Sequence, residues 1–142
     1  MTTLLTNLGE EYVLETALNG VTLTVGTYND ATDAISDTSD LSAITTEPTG
    51  SAYARQSDTY SLVKNGSGNW QLDNDSQLTF DTSDSSQSVD SYFIVANFQA
   101  DDTGDTAAND HLIATGALQQ TRDLSQIDTH NIDAGSAGFS LT

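Results

Sequence analysis

Two acidic stretches and two histidines hold the side chains whose types could do chemistry. "DDTGD" places Asp101, Asp102 and Asp105 in a short segment, and "DNDS" places Asp73 and Asp75 in another. Loop carboxylates supply the hard oxygen ligands that calcium takes. Neither stretch has the glycine and distal glutamate of an EF-hand loop. Solvated carboxylate is therefore the simpler expectation, with a weak structural ion such as Ca2+ at Asp101, Asp102 and Asp105 as the remaining candidate. His111 and His130 are the only histidines, and their spacing supplies neither a third zinc ligand nor a preset geometry. No Gly-x-Ser-x-Gly elbow, phosphate-cradling glycine loop or dinucleotide fingerprint is present. Paired carboxylates for sugar hydrolysis leave no local signature, and among 21 acidic residues a chance pair carries no weight. The expectation is no enzyme, no catalytic residue and no cofactor.

Two further side chains stand out by their rarity. Trp70 is the one tryptophan, flanked by Asn69 and Gln71 just after a turn. A ring so placed can stack on the apolar face of a sugar while amides and carboxylates take its hydroxyls, which makes Trp70 the candidate glycan contact. A half-buried strand tryptophan is the plainer alternative. Arg55, in "EPTGSAYARQ", is one of three basic residues in the chain. On a strand, Tyr53 and Arg55 share a face. An arginine in a sheet is seldom buried without a partner, and a bidentate carboxylate bridge is the natural solution. Asp90 and Asp123 are both reasonable partners, and the sequence does not choose between them. Tyr53, Arg55 and Phe93 are expected to be structural anchors rather than functional groups.

The elements that must position these residues are mostly short strands. Asn7 with Glu10 fits a capping box, and Leu8, Tyr12, Leu14 and Leu18 follow at helical spacing up to Asn19-Gly20. Residues 1–20 thus read as a helical docking segment whose stripe must cover something, because about three turns are marginal alone. Period-two alternation then takes over: Val21, Leu23 and Val25 point one way in "VTLTVGTY". "NDATDAISDTSD" reads as a polar loop with no core to make. "YARQSDTYSLV", "NWQLD", "QLTFD", "SVDSYFIVANF", "HLIATGALQQT" and "GFSLT" read as strands, with "SYFIVANF" apolar on both faces and interior. Short strands separated by turn signals favour one antiparallel β-sandwich or jelly-roll domain over residues 1–142.

Composition bounds the partners. The formal net charge is -18, which disfavours nucleic acid, since binding needs clusters of Lys or Arg, and disfavours anionic membranes for the same reason. No cysteine is present, so disulfides and thiolate metal sites do not arise. The opening residues lack a basic segment and a sustained apolar run, so synthesis in the cytoplasm is expected. Dense carboxylate with almost no lysine self-repels in dilute salt. In molar salt the Debye length falls to about 3 Å and the repulsion is screened. This is the composition of a halophile's protein.

"GSAYARQ", then "NDSQLTF", "SYFIVANF", "LIATGAL" and "DAGSAGFSLT" resemble a family of small β-rich structural proteins of tailed viruses. The matching positions are Gly50, Tyr53, Ala54, Arg55 and Gln56, then Asn74, Leu78 and Phe80, then Gly116 and Leu118, and finally Gly135, Phe139 and Leu141. The resemblance implies a virion role without catalysis and carries over no binding site. Joined to the salt-adapted composition and the acidic loops, it points to a tailed virus of halophilic archaea. The expectation is a capsid decoration or minor capsid protein, including one at a vertex or turret, located in the virion. It would contact the major capsid or another virion protein and form a homo-oligomer, a trimer or pentamer. The alternative is a tail or turret module that recognises host-surface glycan.

Overall fold

The computed structural model describes residues 4–141, so the first residues of the expected docking segment lie outside the described residues. Helix α1 spans Asn7–Ala17. Its N-cap is Thr6, whose hydroxyl accepts from the Gly9 N–H at 3.2 Å. The expected Asn7–Glu10 box is therefore not formed, and Glu10 is buried instead. Leu14 is also buried and Leu18 packs beside it, whereas Leu8 and Tyr12 are 77% and 71% exposed. The reason is angular: both pairs are one turn apart, but the offset from Tyr12 to Leu14 turns through about 200° at 3.6 residues per turn. The expected single stripe is two opposed faces, and only one meets the domain.

Seven strands follow: β1 (Thr22–Tyr28), β2 (Gln56–Lys64), β3 (Trp70–Asn74), β4 (Leu78–Asp81), β5 (Ser88–Phe98), β6 (Asn109–Asp123) and β7 (Thr129–Ile132). All pairings are antiparallel, in a five-stranded sheet ordered β3-β2-β1-β5-β6 and a two-stranded sheet β4-β7. The protein is thus mainly β with a short N-terminal helix. One core joins Leu23, Val25, Tyr60, Leu72 and Ile94 of the larger sheet to Phe80 and Ile132 of the smaller and to Leu14 of α1. Period-two alternation places these side chains on one face. Val21 falls outside β1 and is 38% exposed, against expectation.

The acidic segment after β1 is not an idle loop. A one-turn helix, α2 (Asp30–Asp33), is capped by Asn29, and Ala34 takes a left-handed φ of 51° to leave it. The Asp90 carboxylate accepts from the Asp30 N–H at 2.7 Å. The Asp33 carboxylate accepts from the backbone and hydroxyl groups of both Thr45 and Thr46. These bonds fold residues 29–46 over the second face of the sheet, where Ile35, Leu41 and Ile44 pack on Tyr28, Phe93 and Val95. That cover explains why Phe93, Ile94 and Val95 are buried in succession on interior strand β5. The expected strand "GFSLT" reduces to one bridge, in which Phe139 and Leu72 exchange two hydrogen bonds of 2.9 Å.

Candidate functional site

The residues expected as anchors meet at one place. Arg55 lies just ahead of β2 rather than within it. Its Nε and one terminal nitrogen donate to the two oxygens of Glu47 at 2.8 and 2.7 Å, and its guanidinium carbon sits 5.1 Å from the centre of the Phe93 ring. The bridge is bidentate as expected, but its partner is neither Asp90 nor Asp123. Asp90 is engaged in capping α2, and Asp123 caps the 3-10 turn at Leu124–Gln126. The sequence signal for Glu47 lay in the quoted stretch itself. The turn at Ser51 and Ala52, closed by the Tyr53 N–H donating to the Gly50 carbonyl at 3.2 Å, returns Arg55 alongside Glu47.

Tyr53 completes the cluster. Its hydroxyl accepts from the Thr27 N–H at 3.0 Å and donates to Glu47 at 3.2 Å, while its ring stacks on Phe80 at 5.7 Å. Burial, reinforced by the Glu47 charge, raises the Tyr53 phenol above its ordinary range. The Glu47 hydrogen bonds raise Arg55 above its already high ordinary range, so the guanidinium keeps its charge. Gly26 makes room for all this, since a Cβ there would strike the Phe93 ring and lie 3.1 Å from Glu47. The cluster ties the 47–55 segment to β1 and β5.

A second ionic contact was not legible in the sequence. The His111 ring, at the start of β6, lies between two carboxylates: Nδ1 is 3.2 Å from Asp40 and Nε2 is 2.6 Å from Asp105. The Asp105 hydrogen bond, assisted by that to Asp40, raises the imidazole's pKa. A backbone N–H from Ala100 and the histidine hold Asp105 down at about 2. This clasp joins the 29–46 cover to the loop after β5. It also engages one of the three candidate calcium ligands, and Asp101 and Asp102 stand exposed on the same loop. Among the described residues no three His, Cys, Asp or Glu side chains are grouped to hold a metal ion.

Trp70 opens β3 half-buried, and the Lys64 ammonium lies 5.7 Å from its ring centre. His130 is buried, and burial with the nearby Arg122 charge lowers its pKa. It borders a cleft of about 300 Å³ lined by amides and hydroxyls, such as Gln77, Gln120 and Asn131, together with aliphatic side chains, Arg122 and Asp133.

The remaining feature is a surface. Leu4, Leu5, Leu8 and Tyr12 stand exposed at the N-terminal end. Near the other end of α1 a groove of about 540 Å³ is lined by Leu18, Val21, Phe98, Ile113, Phe139 and Leu141, and no lining residue is charged. Apolar area of this kind marks contact surfaces. No helix among the described residues is long and apolar enough to cross a membrane. No family model, curated protein or solved structure matches the chain.

Proposed function

We propose that the chain is a virion structural protein, a decoration or minor capsid subunit that stabilises the head of a tailed haloarchaeal virus. On this reading it is made in the host cytoplasm and works on the capsid surface or at a vertex. The two sheets over one core are a reduced sandwich, and α1 is the docking element. The observation that carries the reading is the set of exposed apolar side chains Leu4, Leu5, Leu8 and Tyr12 at the N-terminal helix, on a chain of net charge -18. Charge keeps much of the surface solvated and repulsive toward acidic neighbours. Hydrophobic contact also persists in the strong salt that screens ion pairs. An amphipathic helix laid in an apolar groove of its partner is a recurrent recognition mode.

Cosedimentation with purified heads in molar salt tests the reading. The parent chain should pellet with heads, and Leu8→Ser/Tyr12→Ser should remain in the supernatant although folded. A parent chain that stays in solution overturns the reading.

A tail or turret module that binds host glycan is the second reading, supported by the amide-lined cleft near Arg122 and by the half-exposed Trp70. A glycan array separates the two. Binding that falls with Trp70→Ala favours the glycan module, and no binding by the parent removes it.

A further inference from the structure

We infer that the cleft between the end of β6 and β7 binds a sugar acid, with Arg122 taking its carboxylate and the surrounding amides its hydroxyls. The β5–β6 register pairs Ser91 with Ala117 but Val89 with Arg122, so four residues, Leu118–Thr121, face the single residue Asp90. A stretch with that surplus must leave the plane of the sheet. It borders a cleft of about 300 Å³ whose opposite wall is β7. The consecutive residues Thr129–Asp133 all line that wall, which alternating side chains can do together only along a strand edge. Among the described residues β7 pairs with β4 alone, so its second edge is the one that borders the cleft.

Two unmet groups in the cleft point to a ligand. Arg122 is one of three basic residues among 21 acidic ones, yet among the described residues no carboxylate pairs with it. With the Gln120 amide oriented to satisfy both groups, its oxygen accepts from the two terminal Arg122 nitrogens at 2.9 and 2.7 Å. A guanidinium carries five N–H donors, so a neutral amide leaves several for an oxyanion. His130 is the second group. It is 4% exposed, and its Nδ1 is buried with no hydrogen-bond partner among the described residues. Buried polar atoms are seldom left so, and a ligand hydroxyl beside the ring supplies the bond.

The rest of the lining selects the ligand class. Gln77, Gln119, Gln120 and Asn131 bring four side-chain amides, each both donor and acceptor as a sugar hydroxyl is. Leu118 and Ile132 offer aliphatic surface to the C–H face of a ring. Asp133 is the one acidic lining residue, and its carboxylate accepts from Gln77 at 3.3 Å. The volume lies at the lower end for ligand pockets and suits one sugar unit better than an extended peptide. The acidic group is set by Arg122, whose planar fork matches a carboxylate bidentately. The inference rests on the second reading of function for a sugar as ligand, and adds the charge that this sugar must carry.

Amide NMR spectra of the full chain in molar KCl, titrated with glucuronate, glucose and acetate, test it. Glucuronate should shift the signals of β7 and of Leu118–Arg122. Glucose, which lacks the carboxylate, and acetate, which lacks the ring, should each bind about tenfold more weakly or not at all. Arg122→Gln should bring glucuronate down to the level of glucose while signals far from the cleft stay in place. Asn131→Ala, at an exposed position, should weaken glucuronate severalfold and serves as the test if Arg122→Gln fails to fold. Trp70→Ala should change nothing, because Trp70 does not line the cleft. No shift at the cleft, glucose or acetate binding as well as glucuronate, or binding that survives the cleft variants overturns the inference. Glucuronate bound at the cleft beside an empty glycan array keeps the inference and removes the second reading. Neutral glycans bound on the array, with no cleft shift by glucuronate, do the reverse.

Discussion

Arg55 closes on both carboxylate oxygens of Glu47 at 2.8 and 2.7 Å while lying 5.1 Å over the Phe93 ring. One scarce cation therefore ties a turn to the sheet through an ion pair and an aromatic face together. The pair is partly exposed, at 31% and 21%, so its removal should cost less than that of a fully buried bridge. Glu47→Gln should destabilise the fold by about 1–2 kcal/mol, because it leaves the guanidinium short of its charge partner. Urea unfolding in molar salt measures this, and a loss confined to low salt would contradict it.

Gly26 should be equally intolerant. Its missing Cβ is what lets the Phe93 ring and Glu47 lie against β1. Gly26→Ala should cost about 1–3 kcal/mol by overpacking, since the neighbour is a core ring at 0% exposure rather than a flexible side-chain tip. The change in thermal midpoint reports it.

The two faces of α1 should respond in opposite ways. Leu14 is 1% exposed, so Leu14→Ala should cost about 2–5 kcal/mol. Leu8→Ser/Tyr12→Ser should change stability by about 0.5 kcal/mol or less, as surface substitutions do, and act only on binding. Chemical denaturation of both variants beside the parent chain checks the contrast.

The His111 clasp predicts a pH dependence with a definite sign. His111 has a raised pKa in the folded chain. Its contribution is complete below the ordinary value of 6.5 and is lost as pH rises through the folded value. Asp105 is depressed from 3.8 to about 2, so its contribution is complete above 3.8 and is lost as pH falls toward 2. The clasp is therefore strongest between 3.8 and 6.5. His130, with its lowered pKa, acts oppositely and costs stability as pH falls. The test is consequently a difference: the stability that His111→Gln removes should be largest near pH 5 and should shrink at alkaline pH. A difference that does not vary with pH would contradict the clasp.

The strands were legible because alternation and turn residues speak locally. "SVDSYFIVANF" and "VTLTV" could bury their side chains in few other ways, and β5 and β1 fall on them. α1 was legible as a helix, but its facing was not: Leu8 and Tyr12 have helical spacing whether they meet this domain or something else. The order of residues 29–40 was not legible because it comes from carboxylates bonding backbone N–H groups, as Asp33 does at Thr45 and Thr46, and not from apolar periodicity. Arg55 announced a bidentate bridge by its chemistry, while the choice of Glu47 required the Gly50–Tyr53 turn. His111 is held by residues 71 and 6 positions away, and no spacing rule joins Asp40 to it.

Immunogold electron microscopy of tailed virus particles produced with this chain, using antibody raised against it, tests the proposed capsid role most directly. The account predicts gold over the heads, either scattered across the lattice or gathered at the vertices. Gold confined to the tail tip, or particles that remain unlabelled after mild opening of the capsid, would contradict it.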